Sequence, residues 1–162
     1  QLCKDVVVVA LDKEKSLRKI RTNFRVKMGI AGLYCYTKGL DDDQVLGVFR
    51  KNSEEILTRI VKEDKDFQIV KKGFFQREYV SLRDVSQRTQ LLSEISDRIA
   101  TCSEIDSISI LSATLIKSTL LQKVNINIPK DVQETFMLEV KNRDVALYNI
   151  CKKLNMILAS NY

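Results

Sequence analysis

The chain has no histidine and no tryptophan, and only one proline and five glycines among its 162 residues. Without histidine, Ser-His-Asp and Cys-His nucleophilic catalysis, histidine-ligated metals and the commonest general base at neutral pH are all excluded. So few proline and glycine residues leave too few breakers for a protein of many short strands and turns, so helices are expected nearly throughout. No apolar run reaches the roughly 18 residues of a membrane-crossing helix. The stretch VVVVAL is flanked by Lys4, Asp5 and Asp12 and reads as one or two buried helical turns. There is no Asn-x-Ser/Thr acceptor, so N-glycosylation is not expected.

Other chemistry is missing too. The neighbouring carboxylates Glu54-Glu55 and Glu63-Asp64 would point about 100° apart around a helix, which does not converge them on a substrate. The acidic cluster in DDDQVLGVFRKN lacks the alternating ligands and closing glutamate of a calcium loop. No glycine-rich phosphate loop follows a strand. The absence of CxxC and of histidine leaves zinc and thioredoxin-like chemistry without support. The sequence therefore predicts a protein that is not an enzyme, with no catalytic residue, cofactor or metal.

What is present starts with charge. The net charge is +6, and eight basic residues against three acidic ones between Lys4 and Met28 carry five of those six. Lys15, Arg18, Lys19, Arg21 and Arg25 would form the outward side of a first helix, a face suited to phosphates, to an acidic surface or to an acidic patch on a partner. Tryptophan, a recognition motif and interleaved aromatics are lacking, so nucleic acid is not the expected partner. Arg18, Arg21 and Arg25 fall on neighbouring parts of one helical surface and are the candidate binding residues.

Periodicity organises the rest. Val6, Ala10, Leu17, Ile20, Phe24, Met28 and Ala31 recur at helical steps, which predicts one long first helix ending before the KGLDDD turn. Asp41 with Gln44 forms a capping box opening a second helix to about Lys62. The stretch EDKDFQIVKKGFFQREYV is read either as a short helix closing the core or as a hairpin-like connection around Gly73, the helix being preferred. Ser81 with Asp84, and Ser103 with Asp106, are read as starts of further helices. NINIP is extended, because the residue before proline avoids helical angles, and a last helix follows Pro129 with Val132, Phe136, Val140, Ala146, Ile150, Leu154 and Ile157 as its stripe. The fold class expected is all-α: an antiparallel bundle of five or six helices forming one domain over residues 1–162.

The four cysteines, Cys3, Cys35, Cys102 and Cys151, are placed near ends or breaks of the expected helices. A straight first helix would hold Cys3 and Cys35 about 48 Å apart, too far to pair. Two connectivities then remain, Cys3 with Cys102 and Cys35 with Cys151, or Cys3 with Cys151 and Cys35 with Cys102. Two disulfides imply an oxidising compartment and a secreted protein. The start at Gln1 rather than Met fits a mature chain from which a leader was removed, and equally an excised segment. The order of the cysteines and helices resembles the crossed two-disulfide layout of type I interferons among helical cytokines. That resemblance covers no local motif and transfers no binding residue.

The function expected is therefore that of a secreted helical ligand that binds a protein partner or receptor, its basic patch providing long-range attraction. A carrier is the first alternative, its helices enclosing a small apolar ligand with Phe67, Phe74, Phe75 and Tyr79 closing the cavity. An intracellular helical adaptor with reduced cysteines is the second. Neither the oligomeric state nor the partner's identity is legible in the pattern.

Overall fold

The computed structural model describes residues 1–124 and 126–160. Within them the chain folds into ten α-helices, a short 3₁₀ turn and a three-stranded antiparallel sheet. The sheet overturns the all-α expectation, and the number of helices overturns the bundle of five or six.

The predicted first helix is three. Helix α1 (Leu2–Ala10) ends before the charged run Asp12-Lys13-Glu14; a two-residue strand β1 (Lys15–Ser16) follows, then α2 (Leu17–Arg21) and α3 (Phe24–Thr37). Two capping side chains restart the helix: Ser16 Oγ accepts from the Lys19 amide, and Asn23 Oδ1 accepts from the Val26 amide at 3.1 Å. The chain thereby folds back, and α3 packs along α1. Val6, Val7, Val8 and Val9 are all fully buried. β-Branched residues are modest helix formers, so tertiary burial on all sides of α1 by α3, α5, α6 and α7 overrides local preference here.

Asp41 caps as expected, accepting from the Asp43 amide, but it opens a 3₁₀ turn (Asp42–Gln44) that leads into α4 (Val45–Lys51). The helix breaks at Asn52 and resumes as α5 (Ser53–Glu63). Next comes the hairpin β2 (Phe67–Lys72) and β3 (Arg77–Leu82), where the preferred reading was a helix. Its sheet order is β1-β3-β2, with Phe67 opposite Leu82, Ile69 opposite Val80 and Lys15 opposite Val80. Phe67, Val80 and Leu82 share the buried face, and α5 packs on β2.

Helix α6 (Ser86–Ala100) starts later than expected: Ser81 belongs to β3, and Asp84 Oδ1 accepts from the Ser86 amide at 3.0 Å. The expected break near Cys102 is present, and Asp106 caps α7 (Ser107–Lys117) through the Ser109 amide. After a short α8 (Leu120–Lys123), residues 126–129 are non-helical as NINIP predicted; its first residue, Asn125, lies outside the described residues. The final stripe divides into α9 (Lys130–Arg143) and α10 (Val145–Ser160). Asp144 makes the division by accepting from the Leu147 amide at 3.1 Å, so Leu147 is buried where the unbroken stripe had placed Ala146.

The four cysteines are free thiols, which overturns the two-disulfide staple and removes the premise of the secretion argument and of the interferon-like layout. Because the first segment is folded back rather than straight, Cys3 reaches α3, its thiol 3.7 Å from the Ile30 carbonyl. Cys35 and Cys151 are buried in the two core clusters as small apolar side chains. No helix among the described residues is long and apolar enough to cross a membrane.

Candidate docking hairpin and basic face

The hairpin places apolar groups where a folded chain ordinarily has polar ones. Its turn runs Gly73-Phe74-Phe75-Gln76 and is closed by the Gln76 amide donating to the Gly73 carbonyl at 3.2 Å, with Gln76 Nε2 donating to the same oxygen at 3.0 Å. Gly73 at φ 78° and Gln76 at φ 53° both lie in the left-handed region, which costs glycine nothing and gives the turn its sense. The two central positions carry phenylalanines that are 93% and 78% exposed, their rings meeting edge to face with centroids 5.2 Å apart. Gly, Asn, Asp and Ser prefer such positions; two adjacent phenyl rings packed only on each other are a feature that fold stability does not explain.

Cations surround the neck. The stretch KKGFFQR carries Lys71, Lys72 and Arg77 and no acid. Lys72 pairs with Glu14 at 2.5 Å and lies over the Tyr79 ring, 5.4 Å from its centroid. Lys71 and Arg77 form no ion pair among the described residues. On the opposite strand Glu78 is taken by Lys62 of α5 at 3.6 Å.

The base of the hairpin is fixed to the body. Lys4 of α1, its side chain only 13% exposed, holds Asp66 at 2.5 Å and Asp64 at 3.2 Å. Burial works against the charge on Lys4, yet the hydrogen bonds to Asp66 and Asp64 outweigh it and raise its pKa; the bond from Lys4, joined by one from Gln87, lowers that of Asp66. Arg83 closes the base from β3's end, its Nε donating to the Lys65 carbonyl at 2.9 Å and its amide to the Asp66 carbonyl at 3.0 Å.

The candidate residues from the sequence separate into two groups. Arg18 and Arg21 line a hollow of about 260 Å³ together with Arg77 and Glu78, so α2 extends the basic face of the hairpin. Arg21 is also an ion partner of Glu54, at 3.6 Å, while its Nε lacks a hydrogen bond. Arg25 belongs elsewhere: it is half-buried, and its Nε donates to Thr119 Oγ1 at 2.7 Å, holding a threonine in the left-handed conformation at φ 61° between α7 and α8. Of the aromatics imagined around a carrier cavity, Phe67 is buried in the core, Phe74 and Phe75 are at the hairpin tip, and Tyr79 lies under Lys72. They do not converge.

Among the described residues no group of three or more acidic, cysteine or histidine side chains is arranged to hold a metal ion. Glu54 and Glu55 point to different partners, Glu54 to Arg21 and Lys27, Glu55 to Arg59. Comparison with known proteins gives no match among family models, curated proteins or solved structures.

Proposed function

We propose that the protein is a peripheral binding module that docks on an anionic lipid surface through the β2–β3 hairpin, with Phe74 and Phe75 entering the headgroup boundary and Lys71, Arg77 and Arg18 facing lipid phosphates. The observation that carries this reading is the pair of phenyl rings exposed at the tip of a basic hairpin. Their convexity favours lipid over protein. A stable protein interface covers about 800 Å² per partner on complementary surfaces, whereas two phenyl side chains offer roughly 300 Å² on a narrow protrusion. A bilayer boundary needs only an apolar tip with cations behind it. Withdrawing that area from water is worth at most about 7 kcal/mol, and each cation near an anionic leaflet adds about 1 kcal/mol. The two contributions together can offset the loss of rotational freedom on binding.

Sedimentation with phosphatidylcholine vesicles, with and without phosphatidylserine, tests the proposal. Binding is expected only with the anionic lipid, weakening as salt rises. The double variant Phe74→Ser, Phe75→Ser is expected to bind about tenfold or more weakly. Binding that ignores phosphatidylserine, or a double variant that binds as the parent does, refutes the reading. Capture of a soluble protein that is lost in the same double variant, without vesicle binding, would replace the bilayer with a protein partner.

A further inference from the structure

A second surface, formed by other elements, lies along α9. Lys130, Gln133, Glu134, Met137, Leu138 and Lys141 all line one groove of about 550 Å³, a volume in the range of ligand sites. Their spacing of three, four, seven, eight and eleven residues makes a continuous helical face, about 16 Å long at 1.5 Å per residue. The opposite wall is made by the end of α7 with Ile116 and Lys117, by Thr119, and by Tyr148 of α10.

The groove has a polarity along its length. Its middle carries one exposed apolar side chain: Leu138 is 55% exposed, with the polar Gln133 and Glu134 in the same lining, on a helix that already buries Phe136, Met137 and Val140 in the core. Lys130 and Lys141 stand at the two ends, and Lys117 stands across from them. Lys141 is placed over the Tyr148 ring, 5.5 Å from its centroid, and none of the three lysines forms an ion pair among the described residues. Glu134 is the single acid in the lining. The length suits about three turns of helix or five extended residues.

We infer that this groove receives a short amphipathic helix from a protein partner, apolar at its centre and acidic at its ends, laid along α9 in the helix-in-groove mode. The apolar anchors lie on Leu138 and Tyr148, and the acidic ends meet Lys130, Lys141 and Lys117. The site is separate from the hairpin, so failure of lipid docking leaves it unaffected.

A panel of fluorescein-labelled helical sixteen-residue peptides provides the test, each with leucines at central i, i+3, i+4 and i+7 positions and with ends of glutamate, glutamine or lysine. Fluorescence anisotropy with the full chain is expected to rank the glutamate-ended peptide tightest, about tenfold over the lysine-ended one, with a preference that shrinks as salt rises. Leu138→Glu and the pair Lys130→Glu, Lys141→Glu replace exposed helical residues, and their fold is checked by circular dichroism. Each is expected to weaken glutamate-ended binding about tenfold. The inference is overturned if no peptide prefers glutamate ends, or if the folded variants bind as the parent does. It is also overturned if the double Phe74→Ser, Phe75→Ser variant loses peptide binding while the groove variants retain it.

Discussion

Asp5 is half-buried on α1, and burial pushes its carboxyl up to about 6 from 3.8, with Lys4 pulling it down and Glu94 adding to the rise. The folded chain then holds this proton over a pH range in which the unfolded chain has lost it. Stability therefore falls as pH rises through that window, and the full penalty is present at neutral pH. Asp5→Asn is expected to raise stability at neutral pH by about 1 to 2 kcal/mol, after allowance for partial solvation. It should also flatten the slope between about pH 4 and pH 6; urea unfolding on both sides of that window measures both effects. The thiols make a second expectation at this scale. Burial pushes Cys3 and Cys35 up to about 11 and Cys151 up to about 12, so their reactive thiolate is scarce. Cys102 sits half-exposed in the loop after α6. Brief native alkylation is expected to label Cys102 first, with the other three following only on denaturation; intact mass and peptide mapping read the order.

At the scale of elements, caps decided what periodicity could not. The apolar spacing from Val6 to Ala31 is helical throughout the sequence, yet its residues belong to three helices and divide between two core clusters, Val6, Ala10, Leu17 and Ile20 in one and Met28 and Ala31 in the other. The breaks were written in Ser16 and Asn23, polar residues standing just before a new helical turn, and in Asp144 before α10. Asn23→Ala is expected to cost about 1 kcal/mol through loss of the bond to the Val26 amide, seen as a lowered urea midpoint with an unchanged slope. Asp41 and the break near Cys102 were readable because cap and hydrophobic pattern agreed there, whereas the cap of α7 is Asp106 itself and not Ser103, which the spacing had favoured. The hairpin was readable only as an alternative. FQIVKK and REYVSL alternate around a glycine, yet the aromatic spacing from Phe67 to Tyr79 also suits a helix, and no local signal assigns the tip phenylalanines to solvent. Charge asymmetry singled out Arg18, Arg21 and Arg25 as one helical surface; the folded chain places Arg18 and Arg21 beside Arg77, and the path of α3 carries Arg25 to Thr119. The cysteines misled because four of them near helix ends read as staples, whereas Cys35 and Cys151 fill core positions as small apolar side chains.

Over the whole molecule, close helix crossings tie the distant ends of the chain together. Gly32 of α3 faces α10 so closely that an added Cβ would stand 2.9 Å from Leu154 Cδ1 and 3.5 Å from Ile150 Cγ2, both side chains buried. Gly32→Ala gains helix propensity of about 1 kcal/mol but strains a filled core by more, for a net loss of about 1 to 2 kcal/mol. A thermal melt lowered by several degrees would register it. The sheet binds sequence-remote parts in another way. Lys15 of β1 pairs with Val80 of β3, whereas Lys72 and Arg77 of the hairpin are joined by a four-residue turn. Closing the longer loop costs about 2.5 kcal/mol more chain entropy than closing the turn. The hairpin pairing therefore has the smaller closure cost, and the two-residue strand β1 is expected to be the last part of the sheet to join and the first to open. β1 is thus a late seal between the start of the chain and its middle, and amide exchange across the β1–β3 pairing, compared with that within the hairpin, would report how often that seal lifts.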